Sequence, residues 1–310
     1  MVRRVGALVV LAVLLVGVVK VGGSLFGADD TEAGASSGDG TGTGSADDTA
    51  ATAPADTSTG SSVSSLAVVP STTAAPATPQ VPTAADPAVV LVAGDSDAGT
   101  FGPYLETLLG DTGVATTQMD YKVSSGLARP DFFDWPAHFR EIVPQVQPDI
   151  VVVTFGGNHS QGLTDGANAD GSPNFIIGEP TGDGDDEWRA EYGRRVGEVM
   201  DYLASEGRTL VWVGIPNDDN PDVTLKLQVQ DEVVREQAAT RPNVRFVDTW
   251  KRFSGREGGW AEWVIDPRDK VAKDVRADDG FHLNTVGAEI LALDIIEVLT
   301  TELRARGAAI

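Results

Sequence analysis

The sequence predicts an α/β protein with one three-layer α/β/α domain around a five-stranded parallel sheet. From residue 88 onward, short apolar runs alternate with segments of helical periodicity. The runs at residues 88–94 and 149–155 are apolar along nearly their whole length, which is typical of strands buried on both faces. Because this alternation requires crossover helices, we expect a parallel sheet that is covered on both sides.

The predicted elements follow in a regular order and give an outline that is flavodoxin-like. The helix at 187–205 has the clearest helical spacing, and Gly207 ends it. The closing helix is capped by Asn284 or Thr285. The strands are predicted at residues 88–94, 114–121, 149–155, 209–214 and 244–247, and the helices at 102–109, 130–146, 187–205, 222–239 and 284–304.

The N-terminal segment, residues 1–23, predicts a signal-anchor. Arg3 and Arg4 precede an uncharged apolar stretch at residues 5–19, which Lys20 interrupts. No small-residue cleavage site follows, which favours an uncleaved single-pass anchor with the remainder outside the cytoplasm. The alternative is a cleaved secretory signal, in which case the protein is secreted.

Residues 24–87 are predicted to be a disordered low-complexity linker, followed by a domain at 88–310. The linker consists mainly of Ser, Thr, Gly, Ala, Asp and Pro, with acidic residues and neither Lys nor Arg. This composition cannot bury enough apolar surface to offset its chain entropy. It would hold the folded domain away from the membrane.

Composition excludes several classes of function. The formal net charge of −23 disfavours nucleic-acid binding. The absence of cysteine excludes disulfides, thiolate zinc sites and a cysteine nucleophile. The three histidines lie far apart, and no nucleotide-binding glycine motif occurs, so neither a metal nor another cofactor is expected. The Gly- and Asp-rich stretch 162–186 does not match a calcium loop and is predicted to be a solvated mobile loop.

Four short blocks lie where a predicted strand ends or the last helix begins. In open α/β sheets, ligands bind beyond the carboxyl ends of the strands. The first block places Ser96 where a nucleophile would be presented, although a serine there could instead cap the next helix. The blocks are Gly94-Asp95-Ser96, Ser125-Gly126-Leu127, Gly156-Gly157-Asn158 and Asp279-Gly280-Phe281-His282.

These blocks resemble those of the SGNH hydrolases, also called the GDSL lipase/esterase superfamily. The serine, glycine, asparagine and histidine of that name correspond to Ser96, Gly126, Asn158 and His282, and Asp279 completes a D-x-x-H pattern. The resemblance covers roughly residues 88–305. It is strongest to a bacterial envelope-associated branch with the phrase GLxRxDFFDWP, here GLARPDFFDWP at residues 126–136.

Chemical reasoning about the residues leads to the same assignment. A serine hydroxyl needs a base, and the imidazole of His282 can accept its proton. Asp279 can hold the other ring nitrogen, with Asp278 as a competitor. The oxyanion hole would consist of the backbone N–H groups of Ser96 and Gly126 and the side-chain amide of Asn158.

Each of these residues also has a structural interpretation, and two positions depart from the family pattern. Gly126 and Asn158 could be turn residues, and His282 could lie at a helix end without a catalytic role. Asp97 stands where the family has leucine, and His159 stands where it has aspartate. Both departures put the substrate and the rate in doubt. Trp260 and Trp263 could be core residues or could line a sugar-binding groove.

The sequence therefore predicts an exported, membrane-tethered serine ester hydrolase that acts on small acyl esters through an acyl-enzyme on Ser96. Acyl groups on envelope polysaccharide are the preferred substrates, which follows only from the predicted location and from the resemblance. Two alternatives stay open. One is an O-acyltransferase that uses the same site, and the other is a non-catalytic glycan-binding module.

Overall fold

The computed structural model describes residues 80–158 and 160–310. The predicted signal-anchor, residues 24–79 of the predicted linker and His159 lie outside this part of the chain. The folded part begins ahead of the predicted boundary at residue 88, because Pro82 is buried and Thr83 and Asp86 close a hydrogen-bonded turn. Within the described ranges, no helix has both the length and the apolar character that a bilayer span requires.

Nine strands and six helices make up the described chain. In chain order they are β1 Ala88–Gly94, α1 Ser96–Asp111, β2 Ala115–Tyr121, α2 Trp135–Val146, β3 Ile150–Thr154, β4 Leu163–Ala167, β5 Pro173–Ile177, α3 Asp186–Leu203, β6 Thr209–Val213, α4 Pro221–Ala239, β7 Val244–Val247, α5 Thr249–Arg252, β8 Trp263–Ile265, β9 Ala272–Asp274 and α6 Thr285–Ala305.

The predicted five-stranded parallel sheet is confirmed. Its strand order is β2-β1-β3-β6-β7, and every neighbouring pair is parallel. The central strand β3 is buried at all of its positions, as its unbroken apolar run predicts. β1 lies between β2 and β3, so the segments that follow these three strands emerge side by side at one edge of the sheet.

Alternate strand residues face two separate cores, which gives the three predicted layers. Val90 and Val92 pack with α1 and α6 on one face of the sheet. Leu91 and Ala93 pack with α2, α3 and α4 on the other face. The helical layers are anchored by large buried side chains such as Phe101 on α1 and the residues Trp135, Trp188 and Tyr192 on the opposite side.

The stretch at 162–186 contains an antiparallel hairpin, β4–β5, so the prediction of a loop was wrong there. Most hairpin residues face solvent, so the stretch has no apolar alternation from which strands could be recognised. The available signal was Asp170-Gly171, a turn dipeptide in which Gly171 has φ +82°. A second short hairpin, β8–β9, was also missed.

Two helix starts differ by several residues from the sequence prediction, and capping explains both. α1 begins at Ser96 because Asp95 is its N-cap, well ahead of the predicted start at residue 102. α2 begins at Trp135 because the Asp134 side chain accepts the backbone N–H of Ala137. At the closing helix, Asn284 is the cap, and its side chain accepts the backbone N–H of Gly287.

Candidate active site

Ser96 lies at the first position of α1, directly beyond the carboxyl end of β1. The Asp95 carboxylate accepts the backbone N–H groups of Asp97 and Gly156, so Asp95 rather than Ser96 caps the helix. The interpretation of Ser96 as a cap was therefore wrong. Partial positive charge at the N-terminus of α1 would favour an anion beside the Ser96 hydroxyl.

Gly94 sets the sharp corner before Ser96. Its φ is +143°, and a Cβ at this position would lie 2.0 Å from the carbonyl oxygen of Thr154 in β3. No side chain fits there, because the obstructing atom belongs to the backbone of the sheet. Glycine is thus required for the chain to leave β1 and enter α1 so abruptly.

Ser96, His282 and Asp279 form one hydrogen-bonded row, although Ser96 and His282 are 186 positions apart in the chain. Ser96 Oγ lies 2.9 Å from His282 Nε2, and His282 Nδ1 lies 2.6 Å from Asp279 Oδ2. The other carboxylate oxygen of Asp279 accepts the backbone N–H of His282 at 3.0 Å. Of the two candidate aspartates, Asp279 is the one that holds the imidazole.

The environment of Asp279 keeps its carboxyl ionised. Burial alone would raise its pKa, but hydrogen bonds from His282 and Phe281 outweigh burial, and the pKa lies below its usual value. The side chains of His282 and Asp279 are 34% and 53% exposed. A substrate can therefore reach the imidazole from solvent.

Asn158 follows β3, and the segment that leads to it packs against both other parts of the site. A Cβ at Gly156 would lie 2.0 Å from Asp97 Oδ2, and one at Gly157 would lie 3.1 Å from the Phe281 ring. This third block is thus in contact with the segment of Ser96 and with that of His282. The Asn158 carbonyl accepts a hydrogen bond from the Gln161 amide.

Gly126 follows β2 and is buried. The preceding Ser125 donates to the Lys122 carbonyl and accepts the indole N–H of Trp135 at 2.9 Å, which fixes the approach to Gly126. Gly126 also lines a cavity of about 220 Å³ that α3 borders. Gly126 and Asn158 therefore lie on either side of the β1 corner, and their oxyanion-hole roles stay predictions.

The motif at residues 126–136 has a structural role next to Asn158. Arg129 makes a bidentate ion pair with Asp131 at 2.8 and 2.7 Å and donates to the side chain of Gln161 at 3.3 Å. The Arg129 hydrogen bonds hold the pKa of Asp131 below its usual value. Because Gln161 in turn holds the Asn158 carbonyl, the motif supports the loop that presents Asn158.

Asp97, the unusual residue after Ser96, is 7% exposed. Its Oδ2 atom has no hydrogen-bond partner within the described part of the chain. Burial raises the pKa of Asp97 to about 7, the charge of Asp279 adds to that rise, and the charge of Arg276 opposes it. The other departure from the family pattern, His159, is outside the described residues.

Several residues that support the site were not identified from the sequence. Gln230 on α4 donates to the Phe155 carbonyl at 3.0 Å, beneath the third block. Asn217 and Arg276 are buried beside the Asp279–His282 segment. Asn217 follows β6, so its position beyond the carboxyl end of a strand could have identified it. A single arginine before D-x-x-H, by contrast, carries no recognisable signal.

Of the two tryptophans considered for a sugar-binding groove, Trp260 is half-buried and donates its indole N–H to the Gly280 carbonyl at 2.7 Å. Trp263 is 56% exposed on β8. Across residues 80–158 and 160–310, no group of three or more His, Asp or Glu side chains is arranged to hold a metal ion.

Comparison with solved structures finds similar folds at low sequence identity. A GDSL-like lipase from Bacteroides thetaiotaomicron VPI-5482 is 14% identical, with 72% of this chain and 92% of that chain covered and a TM-score of 0.47. A catalytic mutant of an acetylxylan esterase from Geobacillus stearothermophilus is 15% identical, with 68% and 93% covered and a TM-score of 0.45. No curated protein matches the chain.

A family match covers most of the domain that contains the site. The family is described as a protein of unknown function, DUF459, and it matches residues 89–298 of the 310 in the chain. The predicted resemblance to the SGNH/GDSL hydrolases is confirmed, whereas the resemblance to a branch with the phrase GLxRxDFFDWP stays a prediction. The protein belongs to the DUF459 family.

Proposed function

We propose that this protein is a serine ester hydrolase that cleaves small acyl esters through an acyl-enzyme on Ser96. The observation that carries the proposal is the row of Ser96, His282 and Asp279 at the carboxyl edge of the sheet, with contacts of 2.9 and 2.6 Å. A nucleophile, a base and a carboxylate that orients the base are the parts that acyl transfer to serine requires.

In the first step, Ser96 Oγ attacks the ester carbonyl carbon while its proton passes to His282 Nε2. The resulting imidazolium is stabilised by Asp279, which also keeps the ring in the orientation that directs Nε2 at Ser96. The tetrahedral oxyanion would accept hydrogen bonds from the backbone N–H groups of Ser96 and Gly126 and from the Asn158 amide. Collapse releases the alcohol, which takes the proton from Nε2.

In the second step, water attacks the acyl-enzyme and gives its proton to His282 Nε2. The new tetrahedral intermediate then collapses, Ser96 recovers its proton, and the carboxylic acid leaves. If a sugar hydroxyl attacks in place of water, the same residues catalyse acyl transfer. The chemistry at Ser96 is common to both reactions, and the acceptor distinguishes them.

We further propose that the enzyme works outside the cytoplasm, tethered by residues 1–23, on acyl groups of cell-envelope polysaccharide. Two features of the sequence support this proposal. Residues 1–23 place two arginines before an apolar stretch, and residues 24–87 have the low-complexity composition of a linker. The formal net charge of −23 disfavours binding to anionic lipid and nucleic acid, which suits a domain held at a distance from the membrane.

The test uses the full-length protein, purified in detergent. The expected results are hydrolysis of p-nitrophenyl acetate and covalent labelling by a fluorophosphonate probe, both abolished by Ser96→Ala. Ser205→Ala is the matched control, because Ser205 lies between α3 and β6, at the other edge of the sheet. It should retain both properties.

Wild-type protein that is folded but neither hydrolyses the ester nor reacts with the probe would contradict the proposal and favour a non-catalytic glycan-binding module. Hydrolysis that persists in Ser96→Ala would remove the nucleophile assignment. Acylated sugar, detected by mass spectrometry after incubation with an acyl donor and glycan acceptors, would redirect the proposal from hydrolysis to transfer.

A further inference from the structure

The turn that carries Asp279 and His282 rests on one buried arginine, Arg276. The residue is 5% exposed. The turn closes as a small hairpin, in which the Ala277 backbone N–H donates to the His282 carbonyl at 2.9 Å and the Gly280 N–H donates to the Ala277 carbonyl at 3.2 Å. Gly280 has φ +82°, a backbone conformation that suits glycine at this tight turn.

The Arg276 guanidinium uses all five of its N–H donors. Four of the acceptors are backbone carbonyls and one is a side-chain oxygen, and they belong to four separate segments of the chain. Nη1 donates to the carbonyl of Phe281, the residue directly before His282, at 2.9 Å. The other acceptors are the Asn217 carbonyl at 2.9 Å, Asn217 Oδ1 at 2.7 Å, the Phe253 carbonyl at 2.9 Å and the Ala261 carbonyl at 3.2 Å.

Through these contacts the arginine ties the turn to the sheet. Asn217 follows β6, Phe253 ends α5, and Ala261 precedes β8. The turn itself reaches solvent on its other side, where Asp279 is half-exposed. Trp260 adds a second brace, since its ring lies 5.7 Å from the Arg276 guanidinium and its indole N–H donates to the Gly280 carbonyl.

Arg276 also supplies positive charge to a part of the site that is rich in carboxylates. Burial lowers its pKa to about 10, and the negative charges of Asp218, Asp97, Asp219 and Asp279 oppose that decrease. The guanidinium therefore stays protonated at neutral pH. It offsets carboxylates that would otherwise repel one another near the Asp279–His282 turn.

We infer that Arg276 is the positioning residue for the base: by fixing the Phe281 carbonyl against the sheet, it holds His282 Nε2 within reach of the Ser96 hydroxyl. This inference rests on the proposed function. Lysine cannot replace arginine here, because an ammonium group has three donors and cannot span five acceptors in a fork geometry. The charge would be kept, but the geometry would be lost.

The test compares Arg276→Lys with Arg208→Lys in the full-length protein. Arg208 is also buried, and it donates to the carbonyls of Leu203 and Tyr202 at the other edge of the sheet. Arg276→Lys should lower kcat for p-nitrophenyl acetate and the fluorophosphonate labelling rate by about 10²-fold, the cost of a small misplacement of a reacting group. KM should stay unchanged, and Arg208→Lys should keep the wild-type kcat.

Proton NMR provides a readout that a purely structural role would not change. The downfield resonance of the imidazole N–H shared with Asp279 should broaden or disappear in Arg276→Lys and persist in Arg208→Lys. If Arg276→Lys does not fold, Asn217→Ala is measured in its place. It removes one acceptor and should lower kcat by roughly tenfold, with KM unchanged.

Wild-type kcat in folded Arg276→Lys, or in folded Asn217→Ala, would overturn the inference while leaving the proposed function intact. A loss of activity that appears as a higher KM with unchanged kcat would also overturn it. Wild-type protein that is inactive toward both the ester and the probe would instead be a failure of the proposed function.

Discussion

The corner that presents Ser96 and the turn that presents His282 are held in place by different means. The corner is fixed by two of its own residues, because Gly94 permits the close approach to β3 and Asp95 both caps the helix that follows and accepts the Gly156 backbone N–H. The turn is fixed from outside, by the guanidinium of Arg276 and the indole of Trp260. Substitutions at the corner should therefore affect folding, whereas substitutions at the turn should affect the rate.

Apart from the loss of the nucleophile in Ser96→Ala, the largest expected effect on rate is at the turn. Asp279→Asn should lower kcat by about 10⁴-fold, because the imidazole loses the carboxylate that fixes its tautomer and stabilises its charged form. The melting temperature should change little, since the Asp279 side chain is 53% exposed. Esterase kinetics and thermal unfolding measure the two effects. The neighbouring Asp278→Asn is the control, and equal losses in both variants would contradict the assignment of Asp279.

The largest expected effect on stability is at the corner. Gly94→Ala should lower the free energy of unfolding by about 4 kcal/mol, a value reserved for severe packing or backbone conflicts. The methyl group would collide with the Thr154 carbonyl oxygen. Gly113→Ala is the matched control, because Gly113 also has positive φ but has no atom within 4 Å of its Cβ position.

Gly113→Ala should therefore lower the free energy of unfolding by only about 1–2 kcal/mol, which is the cost of placing a Cβ at positive φ. Chemical denaturation of the two variants measures the difference. If Gly94→Ala is no less stable than Gly113→Ala, the close contact with β3 does not determine the corner.

An intermediate effect is expected at Asn158, which belongs to neither segment. Asn158→Ala should lower kcat by about 10²–10³-fold if its amide binds the oxyanion. Gln161→Leu removes the contact to the Asn158 carbonyl and the hydrogen bond from Arg129, but it keeps the Asn158 amide, so it should have a smaller effect on kcat. An Asn158→Ala variant with wild-type kcat would return Asn158 to the role of a turn residue.

The smallest effect on the maximal rate is expected at Asp97, where the change is in pH dependence. As pH rises through about 7, Asp97 ionises next to the forming oxyanion, so activity should decline above that pH. Asp97→Asn should remove this decline. A pH–rate profile of kcat/KM in both proteins tests this, and identical alkaline limbs would contradict it.

The raised pKa of Asp97 also predicts how the stability of the protein changes with pH. The pKa of Asp97 is higher in the folded protein than in the unfolded chain, so the folded state binds the proton more tightly. Between about pH 4 and pH 7 this group makes the protein less stable as pH rises. Asp97→Asn should flatten the unfolding free energy across that window, measured by denaturation at several pH values.

Much of the fold could be predicted because it follows from local patterns. The apolar run of β3 and the helical spacing of α3 identify buried elements without reference to distant residues. The β4–β5 hairpin could not be recognised in this way, because its side chains are mostly solvated and its pairing depends on a turn. Asp95 is a common N-cap residue, but the adjacent Ser96 is one as well, so the sequence alone did not show where α1 begins.

The residues of the candidate site likewise divide into those that local patterns identify and those that depend on distant contacts. Ser96, His282 and Asp279 could be named from their positions at element ends and from the D-x-x-H spacing. The burial of Asp97 and the contacts of Arg276 could not, because they depend on segments that are distant in the chain and converge only after folding.

The sequence by itself determined the order of the five sheet strands and of the long helices, the parallel sheet and the residue types that meet at its carboxyl edge, because apolar periodicity and strand ends are local properties. Only the tertiary structure decided that Ser96 lies 2.9 Å from His282, that Asp97 Oδ2 is buried without a hydrogen-bond partner among the described residues, and that Arg276 reaches four segments. These properties depend on distances across the chain, and packing of the two helical layers against the sheet sets those distances.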